Sequence, residues 1–120
     1  AYAQERRQFG QAIGDFQNTR FRLARMATEI EASRQLMYFV CDEIDQKRRC
    51  DKEAAMVKCL APLAACRVID RTIQIHGGLG MLRESRFGQL YFQSRIAQVA
   101  EGTTEMMKLT VAREVLKSYG

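Results

Sequence analysis

The stretch DFQNTRFRLARMATEIEASRQLMYFVCDEIDQK, residues 15–47, largely decides the fold of this chain. Mostly apolar residues recur in it every seven positions, in two interleaved rows that together form one stripe with a period of 3.5 residues. Such a stripe predicts a helix about 48 Å long whose seam packs in an antiparallel bundle. Asp15 precedes the run and is the expected N-cap. The two rows are Phe16, Leu23, Ile30, Met37 and Ile44, and Thr19, Met26, Ser33 and Val40.

Three more helices are expected after the first one. Asp51 is the expected cap of the second helix, whose small central residues allow a neighbouring helix to approach closely. Pro62 lies inside it, but the apolar period continues on both sides, so one kinked helix is predicted. The sequence shows no alternating strand pattern, and the predicted fold class is all-α, an antiparallel four-helix up-and-down bundle with long helices. The expected helices span residues 15–47, 52–75, 84–95 and 104–118.

Length and composition restrict the class of protein. The chain has 120 residues, enough for one domain with its own core. Its 19 basic and 14 acidic side chains give a net charge of +5, which fits a phosphate-bearing ligand or nucleic acid but is most simply a solvated basic surface. No apolar run is long enough to span a membrane. The four cysteines form no C-x-x-C pair, so we expect buried thiols in a reducing compartment and no metal site.

Two segments carry groups suited to a phosphate ligand. Residues 5–10, ERRQFG, combine two Arg with an amide, an aromatic ring and a turn glycine. Residues 74–80, QIHGGLG, form a glycine-rich exit from the second helix, whose backbone amides can face a diphosphate. The structural alternatives are a basic loop with one anchoring Phe and a plain helix C-cap, and spacing alone favours them. His76 is interpreted as a polar helix-end residue rather than a catalytic one.

Residues 101–105, EGTTE, place a carboxylate just before a glycine and the start of the last helix. Thr103 or Thr104 is a candidate cap for that helix, with Glu105 at its positive end. Glu101 is either a solvent-exposed side chain or a general base on the connector, where the following glycine leaves room for a ligand. Spacing alone favours capping, but capping by Thr103 and base function of Glu101 are compatible.

Four motifs follow one another along the chain: Tyr2-x3-Arg6-x2-Phe9-Gly10-x2-Ile13-x2-Phe16-Gln17, Ala54-Ala55-Met56-x-Lys58, Gln74-Ile75-x-Gly77-Gly78-x-Gly80, and Arg95-Ile96-x4-Glu101-Gly102-Thr103-x-Glu105 with Ala112-Arg113. In this order and at these spacings they resemble the C-terminal helical domain of the acyl-CoA dehydrogenases. Each motif is weak by itself, whereas the ordered set covers nearly the whole chain and is specific.

The resemblance implies an enzyme that oxidises an acyl-CoA to a trans-2-enoyl-CoA, with Glu101 removing the α-proton and the N5 atom of FAD accepting the β-hydrogen as hydride. It implies that Gly102 lies near the thioester. It also implies that residues 1–120 are the C-terminal domain of a larger flavoprotein, so the isolated chain is expected to be inactive and free of FAD. The implied FAD contacts are Arg6, Gln8, Phe9, Gln17, Gln74, Gly77 and Gly78 toward a neighbouring subunit's cofactor, and Thr103 and Glu105 toward that of the same subunit.

The resemblance further implies a homo-oligomer that uses electron-transfer flavoprotein as electron acceptor, in the bacterial cytoplasm or the mitochondrial matrix and not in a membrane. Ala100 stands where the family commonly has an aromatic residue, so the wall beside the base is smaller here, and Gln8 replaces a common Thr. Three alternatives stay open. Some family members place the base on another helix, some relatives on this scaffold bind DNA through a basic C-terminal domain, and a bundle can serve only oligomerisation.

Overall fold

The computed structural model of the chain describes residues 1–119, and its helices confirm the predicted all-α class. Four main helices carry the fold, and a short helix and a two-stranded hairpin precede them. Short 3₁₀ turns occupy Ile13–Asp15, Gly77–Met81 and Arg83–Ser85. The elements are α1 (Tyr2–Glu5), β1 (Arg7–Gln8), β2 (Gln11–Ala12), α2 (Gln17–Asp45), α3 (Asp51–His76), α4 (Phe87–Ile96) and α5 (Thr104–Tyr119).

The helix α3 lies at the centre of the molecule, and α2, α4 and α5 each pack against it. Its buried positions are Ala55 and Ala64. Ala64 belongs to the small residues in the middle of the helix that are expected to let a neighbouring helix approach closely, and its burial agrees with that expectation. α3 continues as one helix through Pro62, which is also as predicted. The result is a rod of 60 × 26 × 26 Å.

The face of α2 that turns toward α3 differs from the predicted stripe. The row that ends in buried Val40 lies on this face, but the more apolar row of Leu23, Ile30, Met37 and Ile44 is between 39% and 58% exposed. A more polar row on the opposite flank takes its place. The prediction of one apolar seam is therefore half right. The less exposed positions of α2 are Thr19, Arg22, Met26, Glu29, Ser33, Leu36, Val40 and Glu43.

Glu29 shows how the polar row joins α2 to α3. Its carboxylate accepts hydrogen bonds from Arg67 Nε at 3.1 Å and from Arg71 Nη1 at 2.9 Å, both on α3. Burial by itself would raise the pKa of Glu29, but the hydrogen bonds and charges of Arg71 and Arg67 outweigh it and hold the pKa below its ordinary value. A lowered carboxyl pKa stabilises the fold above the ordinary pKa, and the contribution is lost as the pH falls through the lowered value.

Both predicted aspartate caps are wrong. The N-cap of α2 is Phe16, and Asp15 instead accepts a hydrogen bond from Arg20 Nη2 at 3.0 Å. The N-cap of α3 is Cys50, so that Asp51 lies in the first turn and pairs with Arg49. Helix starts are uncertain by one or two residues from sequence alone, and in both cases a nearby guanidinium competes for the carboxylate.

Two local features were not predicted, and both depend on residues with positive φ. The hairpin β1–β2 turns at Phe9 and Gly10, whose φ angles of 51° and 81° are those of a type I′ turn. Strands of two residues are too short to show an alternating pattern. α4 begins at Phe87 rather than at residue 84, because Arg86, with φ of 62°, interrupts the helical backbone.

The cysteines are free thiols. Cys50 is buried, and burial together with nearby carboxylates raises the pKa of its thiol. Cys59 and Cys66 are half-buried, whereas Cys41 is exposed, so the expectation of buried thiols fails for Cys41. Within residues 1–119 no group of side chains could hold a metal ion. None of the helices described is long and apolar enough to cross a membrane.

The exposed surface is large for a chain of this size. The accessible area is 8725 Å², whereas a monomeric protein of 13.8 kDa is expected to expose about 6,600 Å². Part of the excess is the apolar row on α2. Surfaces of this kind are usually covered by another chain or domain.

We therefore expect the isolated chain to self-associate, with a dissociation constant on the order of micromolar. Met37→Glu, in the exposed apolar row, should weaken the association because it introduces a charge into the contact. Ala24→Glu, on the opposite side of the same helix, should leave it unchanged. Sedimentation at several concentrations measures both, and a chain that stays monomeric at high micromolar concentration would contradict the expectation.

Candidate functional site

A cavity of about 590 Å³ opens where the N-terminal hairpin meets the C-terminal end of α3. Five residues predicted for FAD contacts line it. Arg6 and Gln8 come from the hairpin, and Gln74, Gly77 and Gly78 come from the end of α3 and the turn after it. The structure therefore brings together two segments that local sequence patterns could not connect and that only the family resemblance assigned to one cofactor. Tyr2, Ile13, Ile75, His76, Leu79 and Leu82 complete the lining.

A stack of rings holds the two sides of this cavity together. The Tyr2 ring stacks on the His76 ring with centroids 4.2 Å apart, and its hydroxyl donates to the His76 carbonyl at 3.4 Å. The His76 ring also lies 4.8 Å from the ring of Phe87, centroid to centroid, at a tilt of 55°. His76 Nδ1 donates to the carbonyl of Thr72 at 2.8 Å, which fixes the imidazole. This geometry agrees with the interpretation of His76 as a structural helix-end residue. Nothing in the sequence pattern indicated the role of Tyr2, because its partner is 74 positions away.

The turn after α3 leaves open backbone on the cavity side. Gly77 has φ of 58°, a conformation that glycine adopts without strain, and it ends the helix. A Cβ placed on Gly77 or Gly78 would meet no atom within 4 Å. Their small size is therefore not required by packing within the described chain, and it leaves space for a ligand to approach the backbone.

The charge of the cavity comes from Arg6. Its guanidinium forms no ion pair with a carboxylate of residues 1–119. A guanidinium, two side-chain amides and an open glycine turn are the groups that bind phosphate oxygens. The cavity also has the volume typical of small-molecule sites. It is therefore suited to the diphosphate of a nucleotide.

Two predicted contacts, Phe9 and Gln17, do not line the cavity. Phe9 stands at the tip of the hairpin, where it is 93% exposed, and its ring forms a T-shaped pair with the Phe16 ring, with centroids 6.3 Å apart. Gln17 is exposed at the first position of α2. Both side chains are exposed, so a ligand that contacts them would have to lie on the surface of this domain.

The second predicted group lies on the connector between α4 and α5. Glu101 has φ of 55° and Gly102 has φ of 103°. A left-handed backbone at a glutamate is strained, and such strain is concentrated at functional sites. The Glu101 carboxylate is exposed and has no hydrogen bond or ion pair with residues 1–119. A carboxylate in this state is available to an external ligand, but the described residues do not shield it from water.

The start of α5 confirms one interpretation of the EGTTE segment, capping by a threonine. Thr103 Oγ1 accepts a hydrogen bond from the Met106 amide at 3.3 Å, so Thr103 caps the helix as predicted. Glu101 is exposed beside this cap, and its role as a base stays a prediction. Thr103 and Glu105 line a smaller cavity of about 160 Å³. Arg95, Gln98 and Lys108 contribute its polar side chains.

The connector is held against α3 by contacts that sequence patterns did not indicate. The Gln98 carbonyl accepts from both the amide and the hydroxyl of Thr104, at 3.0 and 3.3 Å. Gln98 Nε2 donates to Cys66 Sγ at 3.1 Å, and Cys59 Sγ donates to the Thr104 carbonyl at 3.7 Å. The two cysteines, expected only as small buried residues, therefore anchor both ends of the segment that carries Glu101.

The two groups of predicted residues lie at different levels of α3. The peptide before Glu101 contacts Lys58, 16 positions before Gln74, where the cavity begins. Gln98, at the other end of the connector, contacts Cys66, 8 positions before Gln74. The separation along the helix axis is therefore about 24 Å at the Lys58 contact and about 12 Å at the Cys66 contact.

Comparison with known proteins gives one consistent answer. The family model described as "Acyl-CoA dehydrogenase, C-terminal domain" matches residues 1–116. The chain is 41% identical over 117 residues to the probable acyl-CoA dehydrogenase YngJ of Bacillus subtilis, an alignment that covers 98% of this chain and 31% of the relative. It is 36% identical over 116 residues to the caffeyl-CoA reductase-Etf complex subunit CarC of Acetobacterium woodii, covering 97% of this chain and 31% of that protein.

Comparison with solved structures points to the same family. The butyryl-CoA dehydrogenase of Megasphaera elsdenii superposes with a TM-score of 0.92 at 32% identity, covering 96% of this chain and 30% of that structure. The chain thus spans about a third of the length of the relatives that it matches.

Proposed function

Because the chain belongs to the acyl-CoA dehydrogenase family, as its C-terminal domain, we propose that the enzyme containing it oxidises an acyl-CoA to the trans-2-enoyl-CoA with Glu101 as the base. The observation that carries this proposal is the conformation of Glu101. Its carboxylate has no partner within residues 1–119 and stands on a strained connector that contacts from α3 hold in place.

The reaction requires such a group because the α-proton of a thioester is a weak acid. A carboxylate oxygen of Glu101 takes that proton, the α-carbon keeps the electron pair, and the pair forms the new double bond as the β-hydrogen leaves as hydride. Gly102, next in the chain, has no side chain to keep the thioester away from the base. Since Glu101 is exposed on this chain, the exclusion of water must come from substrate and from the rest of the enzyme.

FAD is the cofactor that family membership implies, and the cavity beside the hairpin fits its diphosphate. Arg6 would pair with the phosphate oxygens, Gln8 and Gln74 would donate from their amides, and Gly77 and Gly78 would admit the cofactor close to the backbone. When bound, FAD supplies the hydride acceptor.

The positions of the two groups on α3 support contacts with two FAD molecules. Thr103 and Glu105 are near Glu101 in the chain and would touch the cofactor at which Glu101 works. Leu63 lines the small cavity at Thr103 and Glu105, and the large cavity begins at Gln74, 11 positions or about 16 Å further along α3. The large cavity is lined in part by the exposed hairpin, which suits a cofactor held mainly by a neighbouring subunit. This arrangement makes a homo-oligomer part of the proposal.

Electron-transfer flavoprotein is the electron acceptor we propose. The support is the relative CarC, which its name assigns to a caffeyl-CoA reductase-Etf complex. The relatives differ in the acyl group that their names give, so the acyl group of this enzyme is left open in the proposal.

The proposal is tested by adding acyl-CoA thioesters to the complete flavin-loaded enzyme without oxygen. At least one straight-chain, branched or aryl thioester should bleach the flavin absorbance and yield a product two hydrogens lighter, with the double bond between the α- and β-carbons. An unchanged flavin spectrum with every class of thioester would contradict the proposal.

A further inference from the structure

We propose that Lys58 is a positioning residue that sets the conformation of Glu101 through the backbone. Lys58 Nζ donates to the carbonyl oxygen of Ala100 at 2.8 Å. The carbonyl belongs to the residue just before Glu101, and the two partners are 42 positions apart in the chain. This inference rests on the proposed function, because it assumes that Glu101 is the base.

The ammonium group of Lys58 has no other partner among residues 1–119. Within residues 1–119 it forms no ion pair with a carboxylate, and its other hydrogen bonds are left to solvent. A hydrogen bond from a charged donor is about twice as strong as one between neutral groups. Lys58 also projects from the central helix, α3, so the donor stands on a rigid element.

Geometry explains why holding this particular carbonyl matters. The Ala100 carbonyl and the Glu101 amide form one rigid peptide plane. The φ angle of Glu101 is the rotation about its N–Cα bond, which follows this plane. Its value of 55° is unfavourable for any residue other than glycine. A flip of the plane would relieve the strain, turn the carbonyl away from Lys58 and redirect the Glu101 side chain.

The other contacts of the connector do not prevent such a flip. The Ala100 amide donates to the Ile96 carbonyl at 2.9 Å, which holds the preceding peptide. The bonds between Gln98 and Thr104 close the connector around its ends. Only Lys58, among the described residues, donates to the carbonyl of the peptide that precedes Glu101. The left-handed state of the base therefore depends on this one side chain.

Removal of the donor in the complete enzyme tests the inference. Lys58→Met keeps an unbranched side chain, one atom shorter, without the charge, and we expect it to lower kcat by about ten- to a hundredfold, the factor that a charged hydrogen bond carries. The KM for acyl-CoA and the FAD content should change little. Lys58→Arg, which retains a charged donor, should recover most of the loss. Lys52→Met, on the same helix, should behave like the wild type, because Lys52 pairs with Glu53 and not with the connector.

A double variant separates positioning of Glu101 from a general structural role. In a Glu101→Gln background, Lys58→Met should cause almost no further loss in the single-turnover rate of flavin reduction, because the group that it positions is already absent. Rates are taken per bound flavin, so a variant that loads poorly is still informative. If Lys58→Met alone depresses the yield of holoenzyme, Lys58→Gln, with a shorter neutral donor, gives the same comparison.

The outcomes are distinct. A kcat for Lys58→Met within about twofold of the wild type would overturn the inference. It would also be overturned if Lys58→Met lowered the rate by the same factor in the wild-type and the Glu101→Gln backgrounds. Failure of the proposed function looks different, because Glu101→Gln by itself would then retain activity.

Discussion

Glu101→Gln should lower the kcat of the complete enzyme by about two to four orders of magnitude, the range that a positioned general base contributes. Glutamine keeps the shape of the side chain and can occupy the same strained connector, but its amide cannot take the α-proton. Binding of acyl-CoA and FAD should be retained, because no described residue depends on the carboxylate for a hydrogen bond. The measurement is anaerobic flavin reduction with the natural thioester, together with the dissociation constant of the substrate.

Glu84→Gln is the matched control for this change. Glu84 is an exposed glutamate in the short turn before α4, and its replacement should leave kcat unchanged. Retention of more than about a tenth of wild-type kcat by Glu101→Gln would place the base elsewhere, since a positioned base is worth at least about a hundredfold. That result would favour the arrangement in which another helix supplies the base.

Arg6→Glu should raise the dissociation constant of FAD about a hundredfold or more, because it removes a charged hydrogen bond and sets a carboxylate against the diphosphate. Among the described residues that line the cavity, Arg6 is the only cationic one. Release of flavin on dilution, followed by its fluorescence, gives the dissociation constant.

The neighbouring arginine provides the control. Arg7 lies on β1 and does not line the cavity, so Arg7→Glu makes the same change in net charge one residue away. It should alter FAD binding by only a few-fold, as expected for a screened surface charge. Equal weakening by the two substitutions would mean that the general field of the basic surface, and not the cavity, holds the cofactor.

How far the fold follows from the sequence is clearest in α2. The heptad spacing predicts a long helix, and the row ending in Val40 does face α3. The row of Leu23 and Ile30 has the same spacing and more apolar residues, yet it is exposed on this chain. Periodicity indicates that a face is to be covered but not by which partner, and a domain that spans a third of its relatives can have partners outside itself.

In the candidate site, too, some features follow from the local sequence and others depend on long-range packing. Local patterns predicted the cap at Thr103, which depends on neighbours within a few residues and is confirmed by its hydrogen bond to the Met106 amide. They marked Glu101 only as a candidate, and the family resemblance supplied its predicted role as the base. The contacts of Lys58 and Tyr2 span 42 and 74 positions. No local pattern carries that information, and only packing around α3 brings these residues to their partners.

Hydrogen exchange measures the removal of the α-proton by Glu101 separately from hydride transfer. An acyl-CoA analogue with sulfur in place of the β-methylene keeps acidic α-hydrogens but has no β-hydrogen to give. In deuterated water the complete wild-type enzyme should replace the α-hydrogens of this analogue with deuterium, which mass spectrometry detects. Glu101→Gln, with FAD and the analogue bound, should show exchange only at the rate of free solution. Exchange by Glu101→Gln at the wild-type rate would contradict the account.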